Sequence, residues 1–97
     1  MTETNLARLH AIVEGRVQGV GFRYFVLEVA ELLGIFGWVR NRWDDSVEVL
    51  AEGECTVLEK LLDALGRGPH GAFVSSVKAD WEKPTGEFLN FRVAMTE

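Results

Sequence analysis

Gly15-Arg16-Val17-Gln18-Gly19-Val20-Gly21-Phe22-Arg23 separates an alternating run of residues from a run of helical period. Its three glycines fall within seven residues, which lets the chain turn sharply and gather several N–H groups toward one point. A helix beginning at the end of this stretch brings its unpaired first-turn amides and the positive end of its dipole to the same place. Arg23, in that first turn, adds a planar fork of donors suited to a phosphate or a carboxylate. These residues describe either an oxyanion cradle or a plain strand-to-helix turn with a surface arginine beside it.

Upstream, residues 7–14 alternate, with Leu9, Ala11 and Val13 on one face and Arg8, His10 and Glu14 on the other; Ile12 breaks the polar side. This predicts a strand covered on one face. His10 reads as a half-exposed strand residue rather than a ligand, because no second histidine is near in sequence. Residues 1–5 are expected to form a loose arm. Downstream, Phe22, Phe25, Val26, Val29, Ala30 and Leu33 make one stripe of an amphipathic helix, and Gly34 is a fitting stop. Residues 35–43 predict a second strand, Asp44-Asp45 a turn, and residues 46–52 a third strand with Val47, Val49 and Ala51 inward. The usual hairpin glycine is missing, but aspartate tolerates the left-handed conformation better than most residues.

Residues 54–66 repeat the helical pattern through Val57, Leu58, Leu61, Leu62 and Leu65, and Arg67-Gly68-Pro69-His70-Gly71 is a loop. Residues 72–81 form a fourth strand, in which the spacing of Val74 and Val77 predicts a bulge. After a turn at Lys83-Pro84-Thr85-Gly86, residues 88–95 supply a last strand with Phe91, Val93 and Met95 on one face. The order β-α-β-β-α-β with an added strand predicts an α+β, ferredoxin-like split β-α-β sandwich. Two helices should cover one face of an antiparallel sheet of four to five strands, with residues 1–97 as a single domain.

Bulk properties narrow the function. A chain of 97 residues with 47% hydrophobic and 26% charged residues has the makeup of an ordinary globular domain. The net charge of −5 argues against general attraction to nucleic acid or anionic membranes. Any anion must then be held by local geometry, against the global field. Cys55 is the only cysteine, so no internal disulfide or cysteine-rich zinc site can form. It reads as a quiet core or boundary residue. No secretory signal and no apolar run of membrane-spanning length is evident, and a soluble, cytoplasmic monomer is expected.

In the split plan, the first two strands run the same way with another strand between them. Their C-terminal ends therefore meet one edge of the sheet, where the cradle leaves the first strand and Asn41 ends the second. At about 4.8 Å per strand, the two lie about 10 Å apart. Asn41 alone would be an ordinary polar residue beside a turn. Together, the stretch 15–23 and Gly37-Trp38-Val39-Arg40-Asn41 resemble the two signatures of the acylphosphatase family. The likeness continues through Ser46-Val47-Glu48-Val49, Ala51-Glu52-Gly53 and Gly68-Pro69.

The resemblance implies an enzyme that hydrolyses acyl phosphates to a carboxylate and inorganic phosphate, with no metal or other cofactor. It implies that Arg23 binds the phosphate, that Asn41 orients the attacking water, and that the amides of Val17, Gln18, Gly19, Val20, Gly21 and Phe22 complete the anion site. The partner is a small acyl phosphate, with no nucleic acid and no membrane. Trp43 and Asp44-Asp45 depart from the family's usual Pro and Asp-Gly, which leaves the hairpin turn open. Trp43, Trp38 and Trp81 are expected to pack on their own sheet, and Asp44 with Asp45 makes a poor metal pair without further ligands nearby. An RNA-binding module would need a basic surface and an aromatic third strand, and residues 46–52 contain no aromatic. A regulatory small-molecule domain would not need Arg23 and Asn41 to face one pocket. Related hydrogenase-maturation proteins carry additional zinc-binding cysteines, so a stand-alone enzyme is expected.

Overall fold

The computed structural model describes residues 5–97. Most of the expected N-terminal arm thus lies outside the described residues, but the Asn5 carbonyl accepts a 2.7 Å hydrogen bond from the Cys55 amide. The alternating run builds β1 (Leu6–Arg16), with Leu9, Ala11 and Val13 fully buried and the residues between them half-buried. The helical stripe builds α1 (Phe22–Leu33), stopped by Gly34 in the left-handed conformation with its N–H turned back to Ala30 and Glu31. The chain continues through β2 (Phe36–Asn41), β3 (Val47–Glu54), α2 (Cys55–Arg67), β4 (Phe73–Glu82) and β5 (Phe91–Val93).

The strands form one sheet in the order β4-β1-β3-β2-β5. β1 and β2 flank β3 and are both antiparallel to it, so they run in the same direction, as the split plan requires. Phe22, Val26 and Ala30 of α1 and Leu58, Leu61 and Leu65 of α2 share one core with Leu9, Ala11, Val13, Val39 and Val49. Both helices therefore cover the same face. The bulge falls at Ser75, since Glu14 pairs with Ser76 and Gly15 with Val74.

The sheet is mixed rather than wholly antiparallel, because β5 pairs in parallel with β2 from Gly37↔Phe91 to Val39↔Val93. β4 ends beside the start of β1, and residues 83–90 cross the sheet at that end. A strand launched from there must run with β2. β5 is also shorter than the expected 88–95, and Met95 is exposed because this edge strand has a neighbour on one side only. Hydrogen bonds from Ala94 N–H to the Val39 carbonyl and from Glu97 N–H to the Asn41 carbonyl continue the pairing past β5.

Two glutamates that the sequence reading did not single out organise the face away from the helices. Glu52, opposite Arg8, accepts hydrogen bonds from Thr85 N–H (2.8 Å), Thr85 Oγ1 (3.0 Å) and Gly86 N–H (2.9 Å). Arg8 Nε lies 3.0 Å from the same carboxylate, close enough for an ion pair although not aligned as a hydrogen bond. Glu52 thereby fastens the crossing segment to the sheet. Trp38 packs on its own sheet, with the Arg40 guanidinium 4.5 Å from its ring centre. Trp43 does not: it is 81% exposed, whereas Trp81 is 43% exposed. Trp43 lies beyond the last β2–β3 pair, Asn41↔Val47, and Trp81 is on the edge strand β4, so neither is enclosed by strands.

Candidate active site

β1 ends at Arg16 and α1 begins at Phe22. Between them, Val17 is buried and Val20 packs against the core, while Gly19 and Gly21 face outward. Apolar side chains thus anchor a loop whose backbone stays accessible. Gly21 is the N-terminal cap of α1 at φ 79°, ψ 20°, a conformation that costs an L-residue with a side chain roughly 1–2 kcal/mol. Among the described residues, the amides of Gln18, Gly19, Val20 and Gly21 donate to no backbone carbonyl. They and the first-turn amides of α1 are the donors an anion would need.

Phe22 is buried and meets Phe25 edge-on at 5.9 Å. Gly68 explains part of how it fits. At φ +66°, a Cβ on Gly68 would stand 2.9 Å from Phe22 Cε2, so the Gly68-Pro69 loop needs glycine to let the ring settle. Arg23 follows in the first turn of α1, half-buried, and no carboxylate among the described residues lies within ion-pair distance of it.

Asn41 closes β2 opposite the buried Val47. Strand alternation puts it on the same face as Val39, the face that α1 covers. Its Oδ1 is buried and has no hydrogen-bond partner among the described residues, an unusual state for a polar atom in a folded chain. Gln18 joins the two halves of the site. Its Nε2 donates to the carbonyls of Arg42 (2.8 Å) and Ser46 (2.9 Å), directly after Asn41 and directly before β3.

The outer face of the same hairpin is held by Glu48, which is 6% exposed. It accepts from Arg40 Nε at 2.8 Å, lies 2.6 Å from His10 Nε2, and is 3.5 Å from Arg42 Nη1. Burial alone would raise the Glu48 carboxyl, but the hydrogen bonds and charges of His10 and Arg40 outweigh it and leave the group below the ordinary 4.5. The turn itself is built from the two aspartates. The Asp44 carboxylate accepts from Ser46 Oγ (2.5 Å) and Ser46 N–H (3.1 Å), and these bonds hold its pKa below the usual carboxylate value. Asp45 takes the left-handed position at φ 73° that glycine usually fills.

Of the residues chosen from sequence, Val17, Gln18, Gly19, Val20, Gly21, Phe22 and Arg23 form one continuous loop and helix start, and the Gln18 side chain ties it to the residue after Asn41. The side-chain role of Gln18 was missed, because only its amide was considered. Glu48 was missed as well. Its signal was a charge opposite Arg40, readable only once the register is known. A cavity of about 470 Å³ lies at the other end of the sheet, beside Leu6, Phe36 and Pro84. Its lining among the described residues includes the carboxylates of Glu52, already saturated with donors, and Glu54, and no cationic side chain for phosphate chemistry. The loop, by contrast, offers free backbone amides at a helix N-terminus, the chemistry that holds an anion.

Fold and loop define the class as a ferredoxin-like α+β domain with an arginine-bearing loop at a helix N-terminus. Residues 9–93 match the family model for Acylphosphatase. The chain is 49% identical over 89 residues to an acylphosphatase from Moorella thermoacetica, covering 92% of this chain and 95% of that protein. It superposes on the crystal structure of acylphosphatase from Bacillus subtilis with a TM-score of 0.88 at 36% identity, covering 91% and 98% of the two chains. The structure of an acylphosphatase from Coxiella burnetii gives 0.87 at 38% identity, covering 97% and 100%. The chain belongs to the acylphosphatase family.

Proposed function

We propose that this protein hydrolyses the carboxyl–phosphate bond of acyl phosphates, releasing a carboxylate and inorganic phosphate, where the loop 17–23 meets Asn41. The observation that carries the site assignment is the Asn41 side chain, whose Oδ1 has no hydrogen-bond partner among the described residues and which belongs to the face from which the loop and α1 rise. The half-buried Asn41 side chain ends β2 on that face, where its amide can orient a water toward phosphorus.

The chemistry asks little more of the protein. The water oxygen forms a bond to phosphorus, the bond from phosphorus to the acyl oxygen breaks, and the electron pair leaves with the carboxylate. The conjugate acid of that leaving group has a pKa of about 4, so it departs without a proton and no general acid is needed. The water's proton passes to a phosphoryl oxygen. Arg23 and the amides of Val17 to Phe22 stabilise the non-bridging oxygens as charge spreads over them. Because these donors supply the positive field, the reaction runs without a metal.

Residues 1–97 act as one domain, in a cytoplasmic monomer; the −5 charge and the half-buried, unpaired Cys55 support this reading. Size-exclusion chromatography with light scattering should give a mass near 10.9 kDa. The test of function is benzoyl phosphate hydrolysis by the purified protein, with and without a chelator. Turnover unaffected by chelation is expected. No turnover overturns the assignment, and loss on chelation overturns the metal-free mechanism.

A further inference from the structure

We infer that the Gln18 side chain is a positioning residue that holds Asn41 in register with the phosphate loop; this rests on the function proposed above. Both near partners of Nε2 are carbonyl oxygens, so the NH2 end of the amide must face them and both its hydrogens are used. The two carbonyls stand on either side of the β2–β3 turn. The Arg42 carbonyl also accepts from Asp45 N–H (3.2 Å), and the Ser46 carbonyl also accepts from Arg42 N–H (2.9 Å). Each carbonyl thus uses both lone pairs, and Gln18 provides the bond that comes from outside the turn.

That bond matters because the turn has little else to fix it from the loop side. Trp43 is exposed, Asp45 sits in the left-handed region, and the Asp44 carboxylate is committed to Ser46 within the turn. The Arg42 carbonyl is one peptide beyond Asn41, so the Gln18 bond fixes the chain where it leaves Asn41. Gln18 itself is held between the buried Val17 and the left-handed Gly19. Its backbone belongs to the anion site while its side chain grips the strand end that aims the water. Phosphate binding and water positioning are therefore mechanically joined through one residue.

The experiment compares Gln18→Met, which keeps volume but cannot donate, with Gln18→Glu, whose carboxylate can only accept. Melting curves first establish that each variant is folded. Gln18→Met should lower turnover of benzoyl phosphate about tenfold while inhibition by inorganic phosphate changes less than about threefold, as for a displaced positioning group. Gln18→Glu, which also sets a negative charge beside the anion, should lower turnover at least as much and weaken phosphate besides. In an Asn41→Ala background, Gln18→Met should add almost nothing, because the group it positions is gone. Equal loss of phosphate affinity and turnover in Gln18→Met, or additive losses in the double variant, would place Gln18 in the loop alone and overturn the inference. If the wild type proves inactive, the functional reading fails, and the coupling is read by NMR instead. Inorganic phosphate should shift the Asn41 side-chain amide signals in the wild type and not in Gln18→Met; equal shifts in both overturn the coupling.

Discussion

Replacing Glu48 with glutamine removes a charge while nearly preserving shape, and the structure sets the size of the effect. Glu48 is almost wholly buried, 2.6 Å from His10 Nε2 and 2.8 Å from Arg40 Nε. A carboxylate can only accept, so His10 Nε2 carries the proton in that contact. The glutamine oxygen can still serve Arg40, and its NH2 can meet His10 Nε2 only if the imidazole proton moves to Nδ1, so both contacts lose their carboxylate charge. A hydrogen bond to a charged group contributes about 1.5–3 kcal/mol. The arginines are partly solvated, which screens their share of the interaction. The expected loss is about 2 kcal/mol, or a fall in Tm of about 10 °C for a domain of this length.

The pH dependence has a definite sign. Because His10 and Arg40 outweigh burial, the folded pKa of Glu48 lies below its ordinary 4.5. The ionised group therefore stabilises the fold fully above that value, and the benefit is lost as pH falls through the folded pKa. Thermal melts of wild type and Glu48→Gln should differ fully at pH 7, and the gap should narrow progressively as the pH falls below the ordinary 4.5 and through the lowered folded pKa. A gap that does not narrow over that fall, or no gap at pH 7, would refute the reasoning.

Glu52→Ala should release the segment that crosses the sheet, and hydrogen exchange at Thr85 and Gly86 should speed up by about tenfold or more, the equivalent of about 1.4 kcal/mol. Asp45→Gly should raise stability in urea by roughly 0.5–1 kcal/mol, since glycine adopts φ 73° without a side-chain penalty. Gly68→Ala should cost about 1–3 kcal/mol in the same assay and raise the KM for benzoyl phosphate. Its Cβ would press on the Phe22 ring next to Arg23.

The core faces were legible because burial imposes its period on the sequence. Leu9, Ala11 and Val13 and the α1 stripe could be placed by alternation and by helical spacing alone. The left-handed turn was also foreseeable, since aspartate was the best available substitute for glycine. The outer face was not. Glu48 and Glu52 are ordinary strand charges until the register sets them opposite Arg40 and Arg8. The parallel β5 followed from where the crossing segment lies, a fact of three-dimensional routing that periodicity does not carry. Trp43 misled because apolar character was taken to imply burial, although a turn offers a large ring nothing to pack on. At the site, the loop was visible as glycines and an arginine. The Gln18 side chain could not be assigned, because its acceptors are backbone carbonyls 24 and 28 residues away.

The central claim divides labour between Arg23, which holds phosphate, and Asn41, which aims water. The direct test is to measure inorganic-phosphate affinity by calorimetry and benzoyl phosphate turnover for Arg23→Ala and Asn41→Ala side by side. Arg23→Ala should lose both, whereas Asn41→Ala should keep its phosphate affinity while turnover falls about a hundredfold or more. Near-normal hydrolysis by Arg23→Ala, or collapse of phosphate affinity in Asn41→Ala, would contradict the account.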